Sequence, residues 1–144
     1  MRRIVIATHG KLASGYQDTI EMICGKKENV SYMCFYSEET NYDEEIQKYM
    51  DSVSPGEEVL ILTDMSAGSV SQRFLKSLEK PNVFMITGIN LPIVLEIVMY
   101  KGEINHDVID SFVKGGVSEL YSVDLEKLKE EAAAEGGGSD ENFF

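Results

Sequence analysis

Four short runs of β-branched, aliphatic and aromatic residues, Ile4 to Ala7, Val30 to Phe35, Val59 to Thr63 and Val83 to Ile86, punctuate the chain. Each is too short for a buried helix and reads as a strand apolar on both faces. Between them the apolar positions return at helical spacing. Leu12, Tyr16, Ile20, Ile23 and Cys24 form one such stripe, and Gly25 follows where a helix C-terminal glycine sits. Tyr42, Ile46, Tyr49, Met50 and Val53 form the second, with Thr40 or Asn41 as its cap and Pro55-Gly56 as the turn after it. Val70, Phe74 and Leu78 predict a third helix. Asn90, with Pro92 in the first turn, opens a fourth.

Strands alternating with helices imply a sheet covered on both sides, because each crossover deposits its helix on a face. The expected fold is therefore α/β: an open, mainly parallel four-stranded sheet of order 2-1-3-4, sandwiched by helices. The segment Leu91 to Tyr100 is apolar almost all round, so it is either a core helix or one covered by another subunit. From Asn105 onward Val108, Ile109, Phe112, Val113, Val117 and Leu120 predict a further amphipathic helix, interrupted at Gly115-Gly116. Leu120 to Leu125 is the candidate for a short edge strand. Residues 1–129 are thus read as one domain. Residues 130–144, rich in Glu, Ala and Gly with no apolar face, are read as a disordered acidic tail.

At 144 residues the chain suits a single domain. Its formal net charge of -12 disfavours nucleic acid, whose binding draws on Lys and Arg, and suits a basic protein partner. Cys24 and Cys34 lack zinc-ligand spacing and are expected to be reduced core residues. Met1-Arg2-Arg3 looks like the start of a signal peptide, but Thr8-His9-Gly10 ends the apolar run too early, and a buried strand fits better. The longest other apolar stretch falls well short of the roughly 20 residues a membrane helix needs. A cytoplasmic protein is expected.

Ligands of open parallel sheets bind beyond the carboxyl ends of the strands, where the winding reverses. That rule selects Thr8-His9-Gly10, the loop Asp64 to Ser69, and Thr87 to Asn90. If the first and third strands are neighbours, the Asp64 carboxylate accepts the Nδ1 proton of His9 and leaves Nε2 free as a nucleophile. A phosphoryl group on His9 would then find the run Ser66-Ala67-Gly68-Ser69 leading into a helix, with backbone donors and the hydroxyls of Ser69 or Ser66 to receive its oxygens. Thr8 joins Gly68, Ser69 and Ser66 as a phosphate-stabilising candidate. Neither a metal nor a cofactor is called for, and the sequence holds no Walker A or Gly-x-Gly-x-x-Gly run. Plainer roles compete: His9 as a hydrogen-bonded structural group, Asp64 as a helix cap, Gly68 and Ser69 as turn residues. His106, at a helix start, reads as a surface or capping residue.

Ile4-Val5-Ile6-Ala7-Thr8-His9-Gly10 with Leu12-Ala13-Ser14-Gly15, then Leu62-Thr63-Asp64 leading to Gly68-Ser69, then Gly88-Ile89-Asn90-Leu91-Pro92 with Glu96, closely resemble the IIA proteins of mannose-family sugar phosphotransferase systems. The likeness runs from Met1 to about Leu125. It implies that His9 accepts phosphate from the phosphocarrier protein HPr and passes it to a IIB component, which phosphorylates sugar entering through membrane IIC and IID components. It implies Asp64 as partner of the ring, and a homodimer in which a C-terminal strand is exchanged between subunits, with Leu120 to Leu125 as the candidate. IIB is expected as a separate chain. The chain departs from the family's Gly-Gly-Ser-Pro loop, reading Ala67-Gly68-Ser69-Val70. Rival readings are the phosphotransfer subunit of a dihydroxyacetone kinase system, and a regulatory or small-molecule binding module with a structural His9.

Overall fold

A computed structural model describes residues 1–135. The chain runs β1 (Arg2–His9), α1 (Leu12–Cys24), β2 (Val30–Phe35), α2 (Tyr42–Asp51), β3 (Glu58–Thr63), α3 (Ser69–Phe74), a 3₁₀ segment (Leu75–Glu79), β4 (Val83–Thr87), α4 (Leu91–Met99), α5 (His106–Ser118) and α6 (Leu125–Ala134). The four strands form one parallel sheet in the order β2-β1-β3-β4, as expected from the sequence.

The run Met1-Arg2-Arg3 leads directly into β1, which begins at Arg2. Ile4 to Ala7 are completely buried, while Arg2 reaches across the sheet's lower rim. Its guanidinium donates to the Tyr100 carbonyl at 2.6 Å, to Glu58 at 3.0 Å and to the Gly102 carbonyl. Alternation along β1 divides the core in two. Ile4 and Ile6 face Ile20 of α1, Ile93, Val94 and Ile97 of α4 and Phe112 of α5. Val5 and Ala7 face the other way, onto Ile46 and Met50 of α2 and Val70 and Phe74 of α3. Each fully buried aliphatic side chain contributes about 1.5–3 kcal/mol.

Two caps stand where the sequence placed them, Asn41 and Asn90, and Asn105 rather than His106 caps α5. Asn41, Asn90 and Asn105 accept the backbone N–H three residues on, at 3.2, 3.1 and 2.9 Å. Gly115-Gly116 differs from expectation: α5 runs straight through. Both glycines allow close approach. A Cβ on Gly116 would stand 3.0 Å from Cβ of Ile93, and one on Gly115 would stand 3.2 Å from the Glu96 carboxylate. Asn90 also donates to the Gly116 carbonyl at 2.8 Å, so the cap of α4 doubles as its tie to α5. The third helix is shorter than expected, since α3 tightens to 3₁₀ after Phe74 and Leu78 is exposed. Cys24 and Cys34 are free thiols, only partly buried rather than in the core.

Leu120 to Asp124 follow α5 in no regular element, and among the described residues no strand forms there. α6 then continues past residue 129 as far as Ala134, capped by Asp124. The rest of the expected tail, from residue 136, lies outside the described residues. No described helix is long and apolar enough to cross a membrane.

Candidate functional site

His9 is the last residue of β1, and the register pairs Ala7 with Thr63, so Asp64 leaves β3 beside it. This is the gap where the winding reverses, because the chain goes from β1 outward to β2 and then returns to the opposite side of β1. One carboxylate oxygen of Asp64 accepts two hydrogen bonds from the same residue: the His9 backbone N–H at 2.9 Å and Nδ1 at 2.9 Å. A carboxylate only accepts, so the proton sits on Nδ1 and the Nε2 lone pair is left for chemistry. The other oxygen, Oδ1, is buried with no partner among the described residues. The side chain of Asp64 is 12% exposed and that of His9 36%, so the carboxylate is roofed while the ring opens to solvent.

Burial pushes the Asp64 carboxyl up, but the hydrogen bonds from the His9 backbone and ring, with the pull of the ring's charge, outweigh it and hold the group below the ordinary aspartate value. A carboxyl depressed in the folded state stabilises the fold above its unfolded value of about 3.9, and this is lost as pH falls through the lower folded value. Asp64→Asn is therefore expected to lower stability by about 1–2 kcal/mol at neutral pH. Urea unfolding of both proteins should show the gap closing below pH 4, and a gap constant from pH 7 to pH 3 would contradict the assignment.

Gly68 closes the site from the other side. A Cβ there would lie 2.6 Å from Cε1 of His9 and 3.3 Å from Nε2. Its backbone, at φ -81° and ψ 152°, is open to any residue, so what the site requires is the missing side chain and not glycine's flexibility. Ser69 follows, exposed, with its hydroxyl 2.7 Å from that of Tyr36. Ser66 is exposed in the same loop.

Thr8 is placed elsewhere. Its side chain is buried on the opposite face of β1, where Oγ1 accepts the Ala13 N–H at 2.7 Å and anchors the start of α1. Neighbours along a strand point to opposite faces, so Thr8 and His9 do not line one pocket. His106 begins α5 with its ring against Phe84, centroids 5.3 Å apart, remote from His9 in the fold.

The structure adds residues that sequence reasoning missed. Tyr36 follows β2, whose Phe35 pairs with His9, and its ring lies 5.7 Å from the imidazole. It holds φ of 65°, alone among the described non-glycine residues, a left-handed conformation costing about 1–2 kcal/mol. Tyr42 holds it there, accepting the Tyr36 N–H at 2.7 Å with its own hydroxyl tied to the Glu38 carbonyl. Arg73, on α3, donates to the Tyr36 hydroxyl at 3.2 Å and to Asp43 at 2.7 Å. The available signal was position: the end of β2 lies on the same carboxyl rim as the three loops already selected.

A family model, EIIA-man, described as the fructose IIA component of phosphotransferase systems, matches residues 3–113. The chain is 32% identical over 106 residues to the mannose-specific EIIAB component of the phosphotransferase system of Escherichia coli K12, an alignment covering 69% of this chain and 32% of that protein. It thus spans about a third of the length of the curated relatives it matches. Among solved structures, the IIA protein associated with the fucose utilization operon of Streptococcus pneumoniae superposes with a TM-score of 0.72 at 26% identity, over 84% of this chain and 92% of that one. The mannose/sorbose specific IIA subunit of Enterococcus faecalis gives 0.73 at 16% identity, over 86% and 96%, a likeness of fold alone.

Proposed function

We propose that this chain, which belongs to the EIIA-man family of phosphotransferase-system IIA components, carries a phosphoryl group on Nε2 of His9 between HPr and a IIB component. The observation that carries the reading is the His9–Asp64 bond of 2.9 Å at Nδ1, which leaves the nucleophilic nitrogen aimed out of the crevice beside Gly68. The step is an in-line displacement. Nε2 bonds to phosphorus, the donor's bond to phosphorus breaks, and its electron pair departs with the donor. The ring becomes cationic, with its Nδ1 proton retained against Asp64, whose carboxylate offsets that charge and acts as orienter rather than base. Transfer onward reverses these changes. Such a loose transition state asks chiefly for positioning and donors to the phosphoryl oxygens, which supports Gly68 and Ser69, and the exposed hydroxyl of Ser66, as the phosphate-binding side. Thr8 enters this reading only as an anchor of α1.

A carrier of this kind works in the cytoplasm, passes its phosphoryl group to IIB and acts on the membrane IIC and IID components only through it. The test is incubation with enzyme I, HPr and phosphoenolpyruvate, followed by intact mass. A single acid-labile adduct of one phosphoryl group is expected, and none, with a working control carrier, would return the chain to a binding module with a structural His9.

A homodimer belongs to the same reading. Leu120 is 84% exposed and Tyr121, Val123 and Leu125 are exposed with it, along a segment with no sheet partner among the described residues. β4 is a sheet edge, open to a strand from a second copy. Sedimentation at micromolar concentration should give a dimer, and a monomer would end the exchanged-strand idea.

A further inference from the structure

Phosphoryl oxygens on His9 would lie beside Ser69, and what polarises that hydroxyl decides how strongly it donates. Three side chains converge there, Ser69 and Arg73 one helical turn apart on α3 and Tyr36 from the turn after β2. Arg73 has no acceptor, so its Nε–H donates to the Tyr36 hydroxyl oxygen at 3.2 Å. That oxygen lies 2.7 Å from Oγ of Ser69. With Arg73 on one lone pair, the Tyr36 O–H is free to donate to Oγ of Ser69, which leaves the Ser69 O–H to point toward a phosphoryl group.

We infer that Arg73, Tyr36 and Ser69 form a hydrogen-bond relay that brings the guanidinium's positive charge to bear on a phosphoryl group held by His9. The inference rests on the carrier reading and extends it to two residues that touch neither the ring nitrogen nor phosphorus. They are positioning residues, acting through Ser69. Hydrogen bonds in series reinforce one another, most of all when one end is ionised. Arg73 and Tyr36 are each pinned from outside the relay. Asp43 holds Arg73 at 2.7 Å, and Tyr42 fixes the backbone of Tyr36 and packs edge-on against its ring at 5.3 Å. Tyr36 is 47% exposed, where water would satisfy its hydroxyl equally well, yet it is held in a strained backbone against His9. The relay also secures Ser69 next to Val70, where no proline ring presets the first turn of α3.

The test is a double-mutant cycle on phosphorylation of His9 by phospho-HPr. Tyr36→Phe keeps the ring against His9 and removes only the hydroxyl, and Arg73→Gln removes the charge. Each is expected to lower kcat about tenfold with KM for phospho-HPr unchanged. Tyr36→Phe/Ser69→Ala should be no slower than Ser69→Ala alone, because both changes cut one chain. A Tyr36→Phe protein at the wild-type rate, or effects that multiply, would overturn the relay while wild-type phosphorylation kept the carrier reading intact. Wild-type protein that accepts no phosphoryl group would overturn both. Should Tyr36→Phe lower the unfolding midpoint, the cycle between Arg73→Gln and Ser69→Ala decides the matter alone.

Discussion

His9→Gln is expected to accept no phosphoryl group while folding like the wild type. Glutamine places an amide N–H within reach of Asp64, so the buried carboxylate keeps a side-chain donor as well as the backbone N–H of residue 9. What disappears is the basic nitrogen, for an amide nitrogen has its lone pair delocalised and does not attack phosphorus. The side chain opens to solvent, so the core is untouched and stability should change by no more than about 1 kcal/mol. Intact mass after incubation with enzyme I, HPr and phosphoenolpyruvate checks this directly. An adduct on His9→Gln at wild-type stoichiometry would move the nucleophile elsewhere, with His106, the chain's second histidine, first in line.

Gly68→Ala should separate activity from stability. The residue's backbone angles suit alanine, and alanine narrows the unfolded ensemble, so the fold should hold or gain about 0.4–1 kcal/mol. The new methyl nevertheless meets Cε1 of His9 at 2.6 Å and the Met65 side chain at 3.0 Å. Backbone does not have to yield, because the free edge of the imidazole can swing away. That movement carries Nε2 off the line of transfer, and a displacement of about 1 Å costs roughly a hundredfold in rate. Transfer kinetics beside urea unfolding make the measurement. Wild-type turnover in this variant would mean that the ring's position is not set by Gly68, and would remove that residue from the site.

The contrast between these positions and Thr8 shows how far the sequence could be read. Strand ends marked His9 and Asp64, because apolar runs stopping at a polar residue before a helix are a local pattern. Thr8 was drawn into the same pocket by adjacency alone. The alternation of β1 argues against that placement, since the chain's own core positions, Ile6 one way and Ala7 the other, set Thr8 on the α1 face. Gly115-Gly116 was read as a break because glycine weakens an isolated helix. In the fold those positions let α5 approach α4 closely, and packing outweighs propensity.

Local order thus belonged to the sequence: four strands, the caps Asn41 and Asn90, and a histidine and an aspartate at strand ends. Each follows from side-chain period or from one residue bonding its neighbour's backbone, interactions that span only a few positions. The order 2-1-3-4 and the meeting of Asp64 with His9 across 55 positions were expected from the sequence as well. Only the tertiary structure decided that Ser69 reaches Tyr36 across 33 positions and Arg73 reaches Asp43 across 30. Those contacts depend on where the turn after β2 and the face of α3 lie once all the strand pairings have set the register, which no local pattern encodes.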